Sequence, residues 1–268
     1  MTDTETDNYI YQTMKAFKLV DMRDRYPDAI EAAEKEHLSY RDFLKNLLDI
    51  EVDGKTRRRT ERLTHQASFE SPKSLEDIDY SFNASLDHDQ ITSLGHLDFL
   101  KRHENIIIIG PPGVGKSMIA TGIGRKACKE GYRVLFVNAK ELMDDLSEDV
   151  QKGTLRDKLK ALAKVDLLIL DELSYLKMDK EKESLFFQIV RQRYEKSSLI
   201  ITTNLPLGRW DELFTGQLAA TAILDRLVHH CHVMSITGDS YRVKGPKDNV
   251  STKNCSDQRS DMGNKDHG

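Results

Sequence analysis

The residues Gly110, Pro111, Pro112, Gly113, Val114, Gly115, Lys116 and Ser117 follow one another in the order G-x-x-x-x-G-K-[ST]. No other stretch restricts the possible folds so sharply. Glycines let successive backbone N–H groups turn inward toward phosphate oxygens, an approach that side chains would block. Lys116 can then reach the β- and γ-phosphates, and the Ser117 hydroxyl can hold magnesium. Ile106 to Ile109 is an unbroken β-branched run, as a strand buried on both faces requires. Ser117 to Lys129 has helical composition and is followed by Gly131, a C-terminal cap. Strand, loop and helix in that order put an anion at a helix N-terminus. The pattern predicts nucleotide binding, with contacts extending from Gly110 to Met118.

The 268 residues suffice for one α/β domain and a smaller appendage. No apolar run approaches the ~20 residues that span a bilayer, which argues against a membrane role. The acidic stretch from Met1 to Asn8 is unlike a secretory or transit signal. Cys128, Cys231 and Cys255 are too scattered for a disulfide framework, and a cytoplasmic location is expected.

Residues 8–66 read as a helical region. Ile10, Met14 and Phe17 share a helical spacing, Pro27 suits the first position of a second short helix, and Ser39 to Asp42 has capping-box form. Within this region, Lys55, Arg57, Arg58, Arg59 and Arg62 oppose the single acid Glu61. Such a cluster is either a solvated helix face or a contact to the phosphates of DNA. Residues 67–84 read as a linker, 85–244 as the nucleotide-binding domain, and the polar stretch 245–268 as a disordered tail. Strands are expected at 133–137, 166–170, 199–202, 231–236 and 241–244, alternating with helices in the first part. That alternation predicts a parallel sheet with helices on both faces.

Leu167 to Leu170 is an apolar run that ends in Asp171 and Glu172. Acids at the carboxyl end of a parallel strand face the ligand crevice. Asp171 would hold magnesium with Ser117, and Glu172 would orient or deprotonate the attacking water. Asn204, at the end of the next strand, is either an ordinary strand-ending residue or a hydrogen-bond partner of that water or of the γ-phosphate. Arg226, on a mostly apolar helix, either pairs with an acid such as Asp225 or neutralises phosphate in a neighbouring subunit. His229, His230, Cys231 and His232 are of metal-binding type, but adjacent residues point apart, so a helix-to-strand junction is expected there.

The phosphate loop, Asp166 to Leu173, Arg193-Tyr-Glu, Leu199 to Leu205, Ile223 to His230 and Gly238 to Lys244 together resemble the IstB family of AAA+ ATPases. These are helpers of insertion-sequence transposition, related to the DnaC-type helicase loaders. The resemblance implies an ATP-dependent protein that multimerises on double-stranded DNA and recruits and stimulates a transposase. It further implies a P-loop AAA+ sheet of order 5-1-4-3-2, preceded by a small helical domain that touches DNA and partner. By the same resemblance, Asn204 matches the sensor-1 position and Arg226 the trans-acting arginine, with Arg193 a second candidate. Ser117-Met118 stands where the family commonly has Thr-His, and the serine keeps the hydroxyl. Arg242 receives no sensor-2 role. A helicase loader built on the same ATPase core is the alternative reading.

Overall fold

A computed structural model describes residues 3–176 and 178–241. Three helices come first: α1 (Asp3–Ala16), α2 (Val20–Lys35) and α3 (Tyr40–Gln66). After an irregular segment and the short helices α4 (His88–Gly95) and α5 (Asp98–Lys101), the β-branched run becomes β1 (Asn105–Ile109). The chain then alternates through α6 (Lys116–Lys129), β2 (Val134–Asn138), α7 (Ala139–Lys152), α8 (Leu155–Ala163) and β3 (Leu167–Asp171). It continues through α9 (Lys180–Arg193), β4 (Ser198–Thr203), α10 (Gln217–Val228) and β5 (Cys231–Ser235).

The five strands are parallel, in the order β2-β3-β4-β1-β5. Side chains alternate across the sheet, so each strand feeds two cores. Ile107, Leu168, Leu170, Leu199 and Ile201 face α7, α9 and α10, where Leu142, Phe186, Ile189 and Ile223 cover them. Ile106, Ile108, Leu167, Ile169 and Ile200 face α4 and α6, under Ile91, Leu94, Ile119 and Ile123. With apolar packing on both sides, the central strands β1, β3 and β4 need no polar face, which is why their cores read as hydrophobic runs.

The N-terminal helices enclose a small core of Met22, Tyr26 and Leu47, with Ile10, Met14 and Phe43 at its margin. Ser39 caps α3 by accepting the Asp42 N–H. The buried Glu51 carboxylate accepts the Met22 N–H at 3.0 Å, supplying an anion to the free N-terminus of α2. Gly54 lets the helices approach, since a Cβ there would overlap the Asp21 carboxylate. α3 continues past this bundle until Leu63 enters the core beside the sheet.

Three expectations need correction. Pro27 lies inside α2 rather than at its start. The break falls earlier, where Lys18 adopts a left-handed backbone and closes α1. Residues 67–84 are not a free connector: Ala67 is buried and its carbonyl accepts the Phe136 N–H of the edge strand β2 at 2.8 Å. Phe69, Leu75, Ile78 and Tyr80 pack on the sheet core behind it. Tyr241 is not part of a strand; after Gly238 the chain turns back, and the Tyr241 N–H donates to the Gly113 carbonyl at 2.9 Å. Residues 242–244 and the tail 245–268 lie outside the described residues.

Candidate nucleotide site

The carboxyl ends of β1, β2, β3 and β4 meet at one edge of the sheet, where the phosphate loop leaves β1. The loop needs its glycines. Gly113 and Gly115 have φ of 82° and 101°, a region that other residues enter only with strain. A Cβ on Gly110 would collide with the Ile236 carbonyl. Gly115 has no atom within 4 Å of where a Cβ would stand, so the loop is open at the mouth of α6. Lys116 opens that helix and donates to the Pro111 carbonyl at 2.8 Å.

A chain of hydrogen bonds links this loop to the acids. The Ser117 hydroxyl donates to Asp171 Oδ1 at 2.9 Å, and the Thr202 hydroxyl donates to the same oxygen. Thr202 Oγ1 in turn accepts the Glu172 N–H at 2.9 Å. Asp171 is only 4% exposed, and Glu172 sits in a left-handed backbone with φ 59° and ψ 43°. Non-glycine residues hold that conformation where the surroundings enforce it. Here Thr202 anchors the Glu172 amide while Asn138 Nδ2 donates to its carboxylate at 3.3 Å. The other end of the Asn138 amide caps α7 by accepting the Lys140 N–H. Both ends of that side chain are therefore fixed.

The loop and the acids border a cleft of about 380 Å³. Glu172, Ser174 and Asn204 line it, and the Asn204 N–H donates to Ser174 Oγ at 3.2 Å. Met118, Ile78, Phe82, Leu86 and Tyr241 line it as well. Phe82 meets the Tyr241 ring edge-on at 4.7 Å, and the Lys73 ammonium lies 5.9 Å from the centre of that ring. These apolar and aromatic side chains suit the flat face of a nucleobase. Sequence reasoning passed over Phe82 and Tyr241 because the first sat in a presumed linker. The available signal was composition alone, since Ile78, Tyr80 and Phe82 are more apolar than a solvated linker needs.

Other candidates lie apart from the cleft. Arg226 on α10 donates to the Ala222 carbonyl at 2.7 Å and rests over the Phe187 ring at 5.2 Å. Arg193 is only 2% exposed and donates to the carbonyls of Leu162, Val165, Asp166 and Ser198. Burial lowers its pKa to about 10, and the Asp166 carboxylate partly offsets that. A guanidinium so enclosed binds strand and helix ends together and cannot reach a neighbouring subunit, so it is withdrawn as a trans-acting residue. The basic stretch on α3 is partly committed too. Arg57 and Arg58 both pair with Asp21, and Arg58 and Lys55 also approach Glu51. Arg59 donates to the Gly131 carbonyl at 2.8 Å, while Arg62 is exposed. His229 and His230 form the junction between α10 and β5, and His232 is held by Glu104 at 2.7 Å.

Residues 12–249 match the family described as IstB-like ATP binding protein. The chain belongs to this family. It is 42% identical over 226 residues to the ATP-binding protein of insertion sequence IS21 from Pseudomonas aeruginosa, covering 84% of this chain and 85% of that one. It is 36% identical over 223 residues to the ATP-binding protein of IS5376 from Geobacillus stearothermophilus, covering 83% and 89%. Among solved structures it is similar to DnaI, with a TM-score of 0.52 at 22% identity over 63% of this chain and 90% of that one. AMPPCP-bound DnaA from Aquifex aeolicus gives 0.53 at 20% identity, over 64% and 52%. The fold of this IstB-like chain is thus the AAA+ P-loop sheet with a helical N-terminal region. Among the described residues, no helix is long and apolar enough to cross a membrane.

Proposed function

We propose that the chain hydrolyses ATP to drive target-DNA handling in insertion-sequence transposition, multimerising on double-stranded DNA and recruiting and stimulating a transposase. The observation that carries this reading is the hydrogen-bonded series Ser117–Asp171–Thr202–Glu172 beside the phosphate loop. A protein that only stored nucleotide would need no second acid held in a strained backbone. The loop N–H groups and Lys116 bind the β- and γ-phosphates. Ser117 and Asp171 offer the hard oxygen donors that magnesium prefers, already side by side, and would hold the ion. Once bound, the ion supplies positive charge to the phosphate oxygens. Glu172 orients the attacking water and takes its proton, and Asn204 positions that water from the next strand. Arg226, outside its own cleft, serves the γ-phosphate of a neighbouring subunit.

The division of labour follows the chain. Residues 1–66 contact DNA and partner, 67–84 link them to the ATPase and wall the base pocket, and 85–244 form the ATPase; the whole works in the cytoplasm. DNA contact rests on the cationic surface of Lys55, Arg57, Arg59 and Arg62, with Arg58 half-buried in the helical bundle behind them. Fold similarity to DnaI does not by itself favour a loader. A Glu172→Gln chain used as bait in its native host should retain a transposase. Retention of a replicative helicase in its place would favour the loader reading.

A further inference from the structure

On α3, Tyr40, Leu44, Leu48 and Val52 are 94, 56, 51 and 59% exposed. Residues four apart stack into one ridge on a helix surface. Phe43, Leu47 and Glu51 serve the bundle's own interior, so this ridge is a second, separate face. One exposed leucine is ordinary, but four large apolar side chains in a line are a contact surface.

A second ridge runs beside it, each member one residue further along: Arg41, Lys45, Asp49 and Asp53. All four are exposed, and Lys45 and Asp49 pair with each other at 2.6 Å in full reach of solvent. The charges read plus, plus, minus, minus, so the row maps onto its own opposite when reversed. We propose that α3 packs antiparallel against the α3 of a second copy of this chain. A two-fold rotation brings Leu44 beside Leu48 and Tyr40 beside Val52 of the other copy. The same rotation directs Arg41 and Lys45 toward the other copy's Asp53 and Asp49. Parallel pairing would leave the two rows on opposite sides of the contact, where they cannot meet, so only the antiparallel orientation makes use of the charge row. An unrelated partner would require no such internal antisymmetry, whereas an isologous contact does.

One helix ridge covers less than the roughly 1,200 Å² at which stable interfaces begin. The contact is therefore weak alone and strengthens when other contacts hold the copies together. The proposal rests on the reading of the chain as a homo-oligomer. It adds a contact distinct from the one that carries Arg226 to a neighbour.

Sedimentation of the full chain without nucleotide or DNA tests it. The natural chain should pass from monomer to dimer as concentration rises. Arg41→Asp with Lys45→Asp makes the row wholly acidic, and Asp49→Lys with Asp53→Lys makes it wholly basic. Each should remain monomeric alone, and an equimolar mixture should dimerise. Leu44→Ser with Leu48→Ser, which leaves the charges untouched, should also weaken dimerisation. Helix content by circular dichroism and binding of a fluorescent ATP analogue should stay at natural levels in all of them, so a failure of the nucleotide reading would be seen separately. A natural chain that is monomeric up to its solubility limit overturns the proposal. So does a charge-reversed chain that still dimerises alone, or a mixture that stays monomeric.

Discussion

Thr202 is the residue through which the two acids act together, because one hydroxyl donates to Asp171 and accepts from the Glu172 backbone. Thr202→Val keeps the shape and removes both bonds. It should leave ATP binding nearly intact and lower kcat by about tenfold or more, the order expected when a positioned carboxylate loses its orientation. Unchanged turnover would show that the strained backbone at Glu172 holds itself. Lys116→Ala should abolish nucleotide binding, and Glu172→Gln should bind ATP without releasing product. Both are read by equilibrium binding and phosphate release. Normal turnover in either would remove that residue from the site.

At the scale of elements, the α2–α3 contact depends on features that look like defects in isolation. A glycine inside a helix costs about 1 kcal/mol relative to alanine. At Gly54 that cost is offset because the Asp21 carboxylate occupies the place of the missing Cβ. Gly54→Ala should lower stability by roughly 1–3 kcal/mol through overpacking, measured by urea unfolding of the N-terminal helices. Between β2 and β3, burial raises the Asp166 carboxyl but hydrogen bonds from Arg133 outweigh it and hold the group below its ordinary range. Its folded pKa is depressed, so the stability it contributes is complete above about pH 4 and is lost as pH falls through the lower folded value. Asp166→Asn should flatten the acid limb of the stability profile and leave neutral and alkaline stability without further pH dependence from this group. The five strands and the phosphate loop were legible in the sequence because period and glycine placement are local signals. The wall formed by Ile78, Phe82 and Tyr241 was not, since it joins segments more than 150 residues apart. Arg193 was misplaced for a related reason: a motif cannot tell an arginine that points outward from one enclosed by four carbonyls.

For the whole molecule, Arg226 stands outside its own cleft, on the Ala222 carbonyl and the Phe187 ring, and the role proposed for it toward a neighbouring subunit would make assembly part of the chemistry. Salt dependence reports the DNA side of that assembly. Arg62→Ala should weaken DNA binding evenly across sequences and reduce the salt slope by about 0.9, with ATP binding intact. An unchanged slope would return Arg62 to a solvated helix face. The most direct test of the account is ATP hydrolysis by a mixture of two inactive chains on double-stranded DNA. Lys116→Ala removes the lysine of the phosphate loop, and Arg226→Ala removes the arginine proposed to serve a neighbour, a role that contributes on the order of 10³–10⁵ in rate where arginine fingers act. Each chain alone should be nearly inactive, and mixing should restore a substantial part of the natural rate, rising with protein and DNA concentration. No recovery at any ratio, with both chains shown to be assembled together, would contradict it.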